Sequence, residues 1–153
     1  MGLFDPISTA VTGVDANQTW LNAISDNIAN MNDVTSTSQG AYQTRFVLTA
    51  PLSATSVGTA AGSATAAGSA SGTGDAIGEG VAVTGIALGS PAGVEEYDPT
   101  SPLADSKGMV RAANVDLGQQ MTDMMLAQRG YEANLATISQ AESAYQAALG
   151  LRV

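Results

Sequence analysis

The sequence predicts an α+β fold: two long terminal helices forming a coiled-coil-like pair, with a small β-rich insert and a disordered low-complexity loop between them. Three observations carry this. Apolar residues recur at helical spacing at both ends, they alternate in short runs through the middle, and a charge-free stretch of small residues separates two of those runs. The boundaries that follow are 1–32 for the N-terminal helix, 33–113 for the insert with 53–74 as its flexible loop, and 114–153 for the C-terminal helix.

The first element spans Leu3 to Met31, with Asp5 placed as N-cap and Pro6 at the first helical position, where its missing N–H costs nothing. Counting sevens from Ile7 gives Val14, Leu21 and Ile28. The flanking apolar residues are Phe4 and Val11 in the first half, then Ile24 and Met31, so the stripe drifts round the helix as a straight 3.6-residue period requires. Asparagine, serine and threonine accumulate from Asn27 to Gly40 and end the helix in a polar loop.

In the insert, Tyr42, Thr44, Phe46 and Leu48 alternate with Gln43, Arg45, Val47 and Thr49, the pattern of a strand. Ser53 to Gly74 holds only Ala, Gly, Ser, Thr and Val. Such a composition buries too little to offset its ordering entropy, which makes it a flexible loop unless an assembly packs it. Strand-like alternation returns at Glu79 to Leu88. Val94 to Tyr97 is expected to pair with that run across the Gly89 to Gly93 turn, and Met109 to Ala112 forms a last short strand after the proline-bearing segment Asp98 to Gly108.

The last element, Asp116 to Leu149, opens with Asp116 and Gln119 in capping-box spacing. Sevens from Leu117 give Met124, Tyr131, Ile138 and Tyr145; an interleaved series gives Met121, Gln128, Leu135, Glu142 and Leu149, with two polar breaks. A rod of roughly 50 Å results at ~1.5 Å per residue, and it needs a partner along its length. Gly13 and Gly130 each interrupt a helix at a cost of about 1 kcal/mol relative to alanine. Close approach of the helices would offset that cost; a tolerated surface glycine is the other reading.

Composition closes off most chemistry. The chain has no Cys and no His, so thiolate ligands, disulfides, the commonest metal ligand and the commonest general base are absent together. The net charge is -9, with the five cations (Arg45, Lys107, Arg111, Arg129, Arg152) scattered, a poor surface for nucleic acid or anionic membrane. The 12% charged fraction is about half the usual value and fits burial against other subunits or disorder. Neither a secretory signal nor a membrane-spanning run is recognisable, so export would use an uncleaved route. Phosphate-loop, dinucleotide and EF-hand spacings fail, and no cofactor is expected. Paired carboxylates, Asp98 with Asp105 or Glu95 with Glu96, are available but read as solvated loop charges. The terminal stripes either form a monomer's own helix hairpin or complete a coiled coil with neighbouring copies; a repeated contact that does not close makes a filament.

Specific motifs then carry a resemblance. Leu21-Asn22-Ala23-Ile24-Ser25-Asp26-Asn27-Ile28-Ala29-Asn30 is similar to the L-N-x-x-x-x-N-L-A-N signature of the bacterial flagellar axial proteins, with Ile28 for the usual leucine, and Tyr42 with Arg45 follows as Y-x-x-(K/R). Tyr97, Pro99, Pro102, Ala104, Gly108 and Val110, in a loop that includes Asp105, resemble the Y-x-P-x-x-P-x-A-x-x-x-G-Y-V element of the proximal-rod subgroup; Met109 stands for its tyrosine. Asn114-Val115-Asp116 and Arg129-Gly130-Tyr131-Glu132-Ala133-Asn134 match N-V-(D/N) and R-x-Y-x-A-N, with Ala113 where proline is usual.

The resemblance implies a structural rod subunit of the basal body and no enzyme. It implies export by the flagellar type III apparatus without cleavage, and passage of the rod through periplasm and peptidoglycan without a membrane span. Its partners would be copies of itself and other rod proteins, packed through both terminal helices in a hollow tube. The assembly interface would then use Ile7, Val14, Leu21, Ile24, Asn27, Ile28, Asn30, Met121, Met124, Gly130, Tyr131, Asn134, Leu135, Ile138, Tyr145 and Leu149. Two competing readings are a peptidoglycan-acting or peptidoglycan-binding protein using Asp98 or Asp105, and a subunit of another secreted helical filament.

Overall fold

A computed structural model describes residues 5–52 and 79–150; Phe4 and the low-complexity stretch Ser53 to Gly74 lie outside the described residues. The order of elements is α1 (Asp5–Ala29), β1 (Val34–Thr35), β2 (Arg45–Pro51), β3 (Val81–Leu88), β4 (Val94–Tyr97), β5 (Met109–Ala112) and α2 (Leu117–Gly150). Both long terminal helices and the β insert therefore form, and the fold is α+β. No described helix is long and apolar enough to cross a membrane.

The helices run antiparallel. Gly13 lies against Asn134, Asn17 against Gly130, and Asn27 against Gln120, each step along α1 matched by an equal step back along α2. The buried apolar side chains of the two helices are mostly small, Ala10, Ala16, Ala23 and Ala127, with Ile24 the largest. At the start of α2, Asp116 is the expected N-cap, its Oδ1 accepting from the N–H of Gly118 at 2.8 Å and of Gln119 at 3.2 Å. The reciprocal half of a capping box does not form, because Gln119 turns forward to donate to Asp123 at 2.9 Å.

The insert holds two small antiparallel sheets, β1-β5-β4 and β2-β3. The pairing expected across the Gly89 to Gly93 turn is corrected here. Val94–Tyr97 pairs with Met109–Ala112, and Val81–Leu88 pairs with Arg45–Pro51. Composition favoured the latter match: β2 and β3 are both almost free of charge, whereas β4 carries Glu95 and Glu96 opposite Arg111 and Val110. Strand β2 begins at Arg45 rather than Tyr42, because its partner β3 ends opposite Arg45 at Leu88 and only the Gly89 N–H continues the ladder, to the Thr44 carbonyl; the Tyr42 and Thr44 hydroxyls go to Asn27 and to the Asn114 carbonyl. Between Leu48 and Thr49 the register slips, leaving Thr84 as the extra residue of a bulge.

Candidate assembly interface

The seam between α1 and α2 answers the question of the two glycines. A Cβ on Gly13 would sit 2.5 Å from Asn134 Nδ2, and one on Gly130 would sit 2.8 Å from Asn17 Oδ1. Each helix thus offers a glycine gap that the other fills with an asparagine. Asn17 donates to the Gly13 carbonyl at 2.8 Å, which keeps its amide flat against its own helix. Both glycines permit close approach, and that contact offsets their cost in helix propensity.

Asn27 is the polar centre of the site. It is 1% exposed, and both ends of its amide are fully used. Oδ1 accepts from the Arg45 N–H at 2.8 Å and from the Tyr42 hydroxyl at 3.1 Å; Nδ2 donates to the Arg45 carbonyl at 3.0 Å and to Gln120 Oε1 at 2.9 Å. The side chain stands in for a neighbouring strand beside β2 and reaches α2 through Gln120, itself buried. One amide therefore joins three elements, with every donor and acceptor satisfied. Beside it the Arg45–Asp26 ion pair is about half exposed and adds little.

The other helix residues named from sequence divide by environment. Ile24 is buried with Asn27 inside the chain; Ile7, Val14, Leu21, Ile28, Asn30, Met124, Gly130, Tyr131, Asn134 and Ile138 are partly buried along the pair. Met121, Leu135, Tyr145 and Leu149 are exposed, and Met125 and Leu126 join them. Gln128 and Glu142, the polar breaks, lie on exposed positions of the same series, so they interrupt no contact within the chain. Sequence reasoning missed Ala10, Ala16, Ala23, Ala127 and Gln120 by following large apolar side chains. The available signal was the sevenfold recurrence of Gln120, Ala127, Asn134 and Ala141.

In the insert, β2 and β3 form a hairpin with Phe46, Leu48, Ile86 and Leu88 about half exposed or more. The motif loop closes on itself. Gly108 has φ +76°, and the Tyr97 ring and Pro99 leave no room there for a Cβ. Asp105 Oδ1 accepts from Lys107 N–H at 2.8 Å and Met109 N–H at 3.0 Å, while Thr37 donates to Oδ2 at 3.4 Å. Asp98 Oδ1 accepts from the Thr100 hydroxyl at 2.6 Å and its N–H at 3.1 Å. These donors, led by Thr100 for Asp98 and by Met109 for Asp105, hold both carboxyls below the ordinary carboxylate value. Pro102 and Leu103 stay exposed at the tip.

Paired terminal helices with small-residue seams, apolar rows left outside the pair and a loop-rich β insert define a class: a subunit built to assemble. Comparisons agree with that class. A family model described as "Flagella basal body rod protein" matches residues 7–35, and one described as "Flagellar basal body rod FlgEFG protein C-terminal" matches residues 106–151. A flagellar basal-body rod protein FlgC from Borreliella burgdorferi is 33% identical over 99% of this chain and 98% of its own. The FlgC of Escherichia coli O157:H7 is 29% identical over 94% and 90% respectively, and that of Agrobacterium fabrum is 51% identical over a shorter 47-residue match, 31% of this chain and 34% of that one. The chain belongs to the FlgC family of flagellar basal-body rod proteins, and is a structural subunit of that rod.

Proposed function

We propose that the chain builds the proximal rod as a non-catalytic subunit, adding to copies of itself and to other rod proteins through its paired helices to make a hollow, torque-transmitting shaft. Export by the flagellar type III apparatus without a cleaved signal, and a periplasmic position where the rod passes through peptidoglycan, complete this reading. The units 1–32, 33–113 and 114–153 serve as N-terminal axial helix, outward insert and C-terminal axial helix.

The observation that carries it is the exposed apolar row of α2: Met121 is 54% exposed, and Leu135 and Leu149 continue the row away from α1. A 34-residue helix in contact with α1 along one side leaves such a row for another subunit. Leu135→Asp puts a charge into that contact at a cost on the order of several kcal/mol if it is desolvated. Cells carrying it should lack rods and be non-motile, although the purified variant stays as helical as the parent. Normal swimming would remove Leu135 from the interface.

The enzyme alternative is disfavoured by Asp98 and Asp105. A general acid needs a carboxyl whose proton is held near neutral pH, and the hydrogen bonds here push both the other way. A lysis assay on purified cell wall should give no activity.

A further inference from the structure

Among the described residues, hydrogen bonds fasten the hairpin of β2 and β3 to α1 at two places. At one end Asn27 holds the Arg45 backbone by two hydrogen bonds. At the other, Thr12 Oγ1 accepts from the Val81 N–H at 3.1 Å and donates to the Thr9 carbonyl at 2.7 Å. Gly80, with φ +105°, brings the chain so close to Thr12 that a Cβ there would overlap its hydroxyl. Fifteen helical residues separate the two anchors, about 22 Å, and a seven-residue strand spans about the same distance. The strand pair thus lies alongside the helix, strapped at both ends.

Between the anchors the packing is loose. A cleft of about 420 Å³ opens between Ala16, Asn17 and Trp20 on α1 and Val47, Thr49 and Val81 on the hairpin, with Asn134 of α2 at its wall, and a second of about 230 Å³, also lined by Trp20, lies among Ile24, Arg45, Phe46 and the α2 residues Gln120 and Asp123. The two fastenings are unequal. Asn27 is buried, with four hydrogen bonds and a link to α2; Thr12 gives the hairpin one bond at a part-buried site.

We propose that Thr12 is a positioning residue that latches the apolar hairpin against α1, with Asn27 as the fixed pivot. Release of the latch lets the hairpin swing about the Arg45 end and opens the cleft over Trp20, changing the angle at which Phe46 and Leu48 meet a neighbour. The β2–β3 pairing itself is untouched by that swing. This inference concerns the hairpin alone and stands whether or not α2 makes the contacts proposed above.

The chain has a single tryptophan, so its fluorescence reports this cleft directly. Thr12→Val keeps shape and removes the acceptor; Thr12→Ser keeps the acceptor. In the full-length chain, Thr12→Val should raise acrylamide quenching of Trp20 about twofold or more, leaving far-ultraviolet circular dichroism and hydrogen-exchange protection of the Arg45 amide at parental values. Thr12→Ser should restore parental quenching. Unchanged quenching in Thr12→Val would overturn the latch. Loss of Arg45 protection together with the rise in quenching would also overturn it, because the hairpin would then be detaching or unfolding as a whole.

Discussion

Asn27→Ala removes one amide and leaves its partners where they are, so its cost can be worked from the structure. The Arg45 N–H and carbonyl, at a part-buried site, and the buried Gln120 Oε1 each lose a partner. Tyr42 can turn its hydroxyl outward, since it is only partly buried. Three orphaned groups at the low end of roughly 1–3 kcal/mol each give about 3 kcal/mol. For a chain of this length that is a drop in melting temperature of about 6–12 °C. Urea unfolding followed by circular dichroism measures it, and a cycle with Gln120→Ala isolates the bond between the helices. The two changes should be non-additive by about 1 kcal/mol, because either one breaks the same contact. A loss under about 1 kcal/mol with strictly additive effects would show that the amide is not bonded as described.

The glycine seam gives a second test: Gly13→Ala should cost about 1–2 kcal/mol through overpacking against Asn134, whereas Gly13→Ala with Asn134→Ala should exceed the parent in thermal stability, since the clash goes and two better helix formers are added. For the motif loop the sign follows from carboxyls held low in the folded state. Their contribution is complete above the ordinary value of 3.8 and is lost as pH falls through the lowered folded values. Melting temperature should therefore fall more steeply below pH 3.8 in the parent than in a variant carrying Asp98→Asn and Asp105→Asn, and superimposable acid limbs would contradict the hydrogen bonds drawn there.

Both helices were legible because their signals are local: a capped start, long apolar recurrence and a polar stop. The sites at which they meet were less so. Large residues such as Met121 and Leu135 dominate any count of sevens, yet both are exposed, and the buried positions of the helices are held by small residues such as Ala16, Ala23 and Ala127. Gly13 and Gly130 were flagged but could not be assigned without Asn134 and Asn17, which lie more than a hundred residues away in sequence. Strand partners failed for a similar reason. A short turn between Leu88 and Val94 favoured a local hairpin, while the true partner of β3 lies beyond 26 undescribed residues. Asn27 was marked by motif; that its side chain would serve as backbone for Arg45 is a tertiary fact with no one-dimensional trace.

That substitution has a consequence for the chain before it reaches any partner. A two-stranded sheet ordinarily presents raw edges, and raw edges recruit stray strands. Here the rung of β2 where an intruder would begin to zip is already taken by a helix side chain with four bonds of its own. Strand invasion at that point must first evict a buried amide. Asn27 therefore doubles as a gatekeeper, guarding one rung of a half-exposed hairpin whose single charge is Arg45 against pairing with its copies by the wrong surface while the helices are still waiting for the right one.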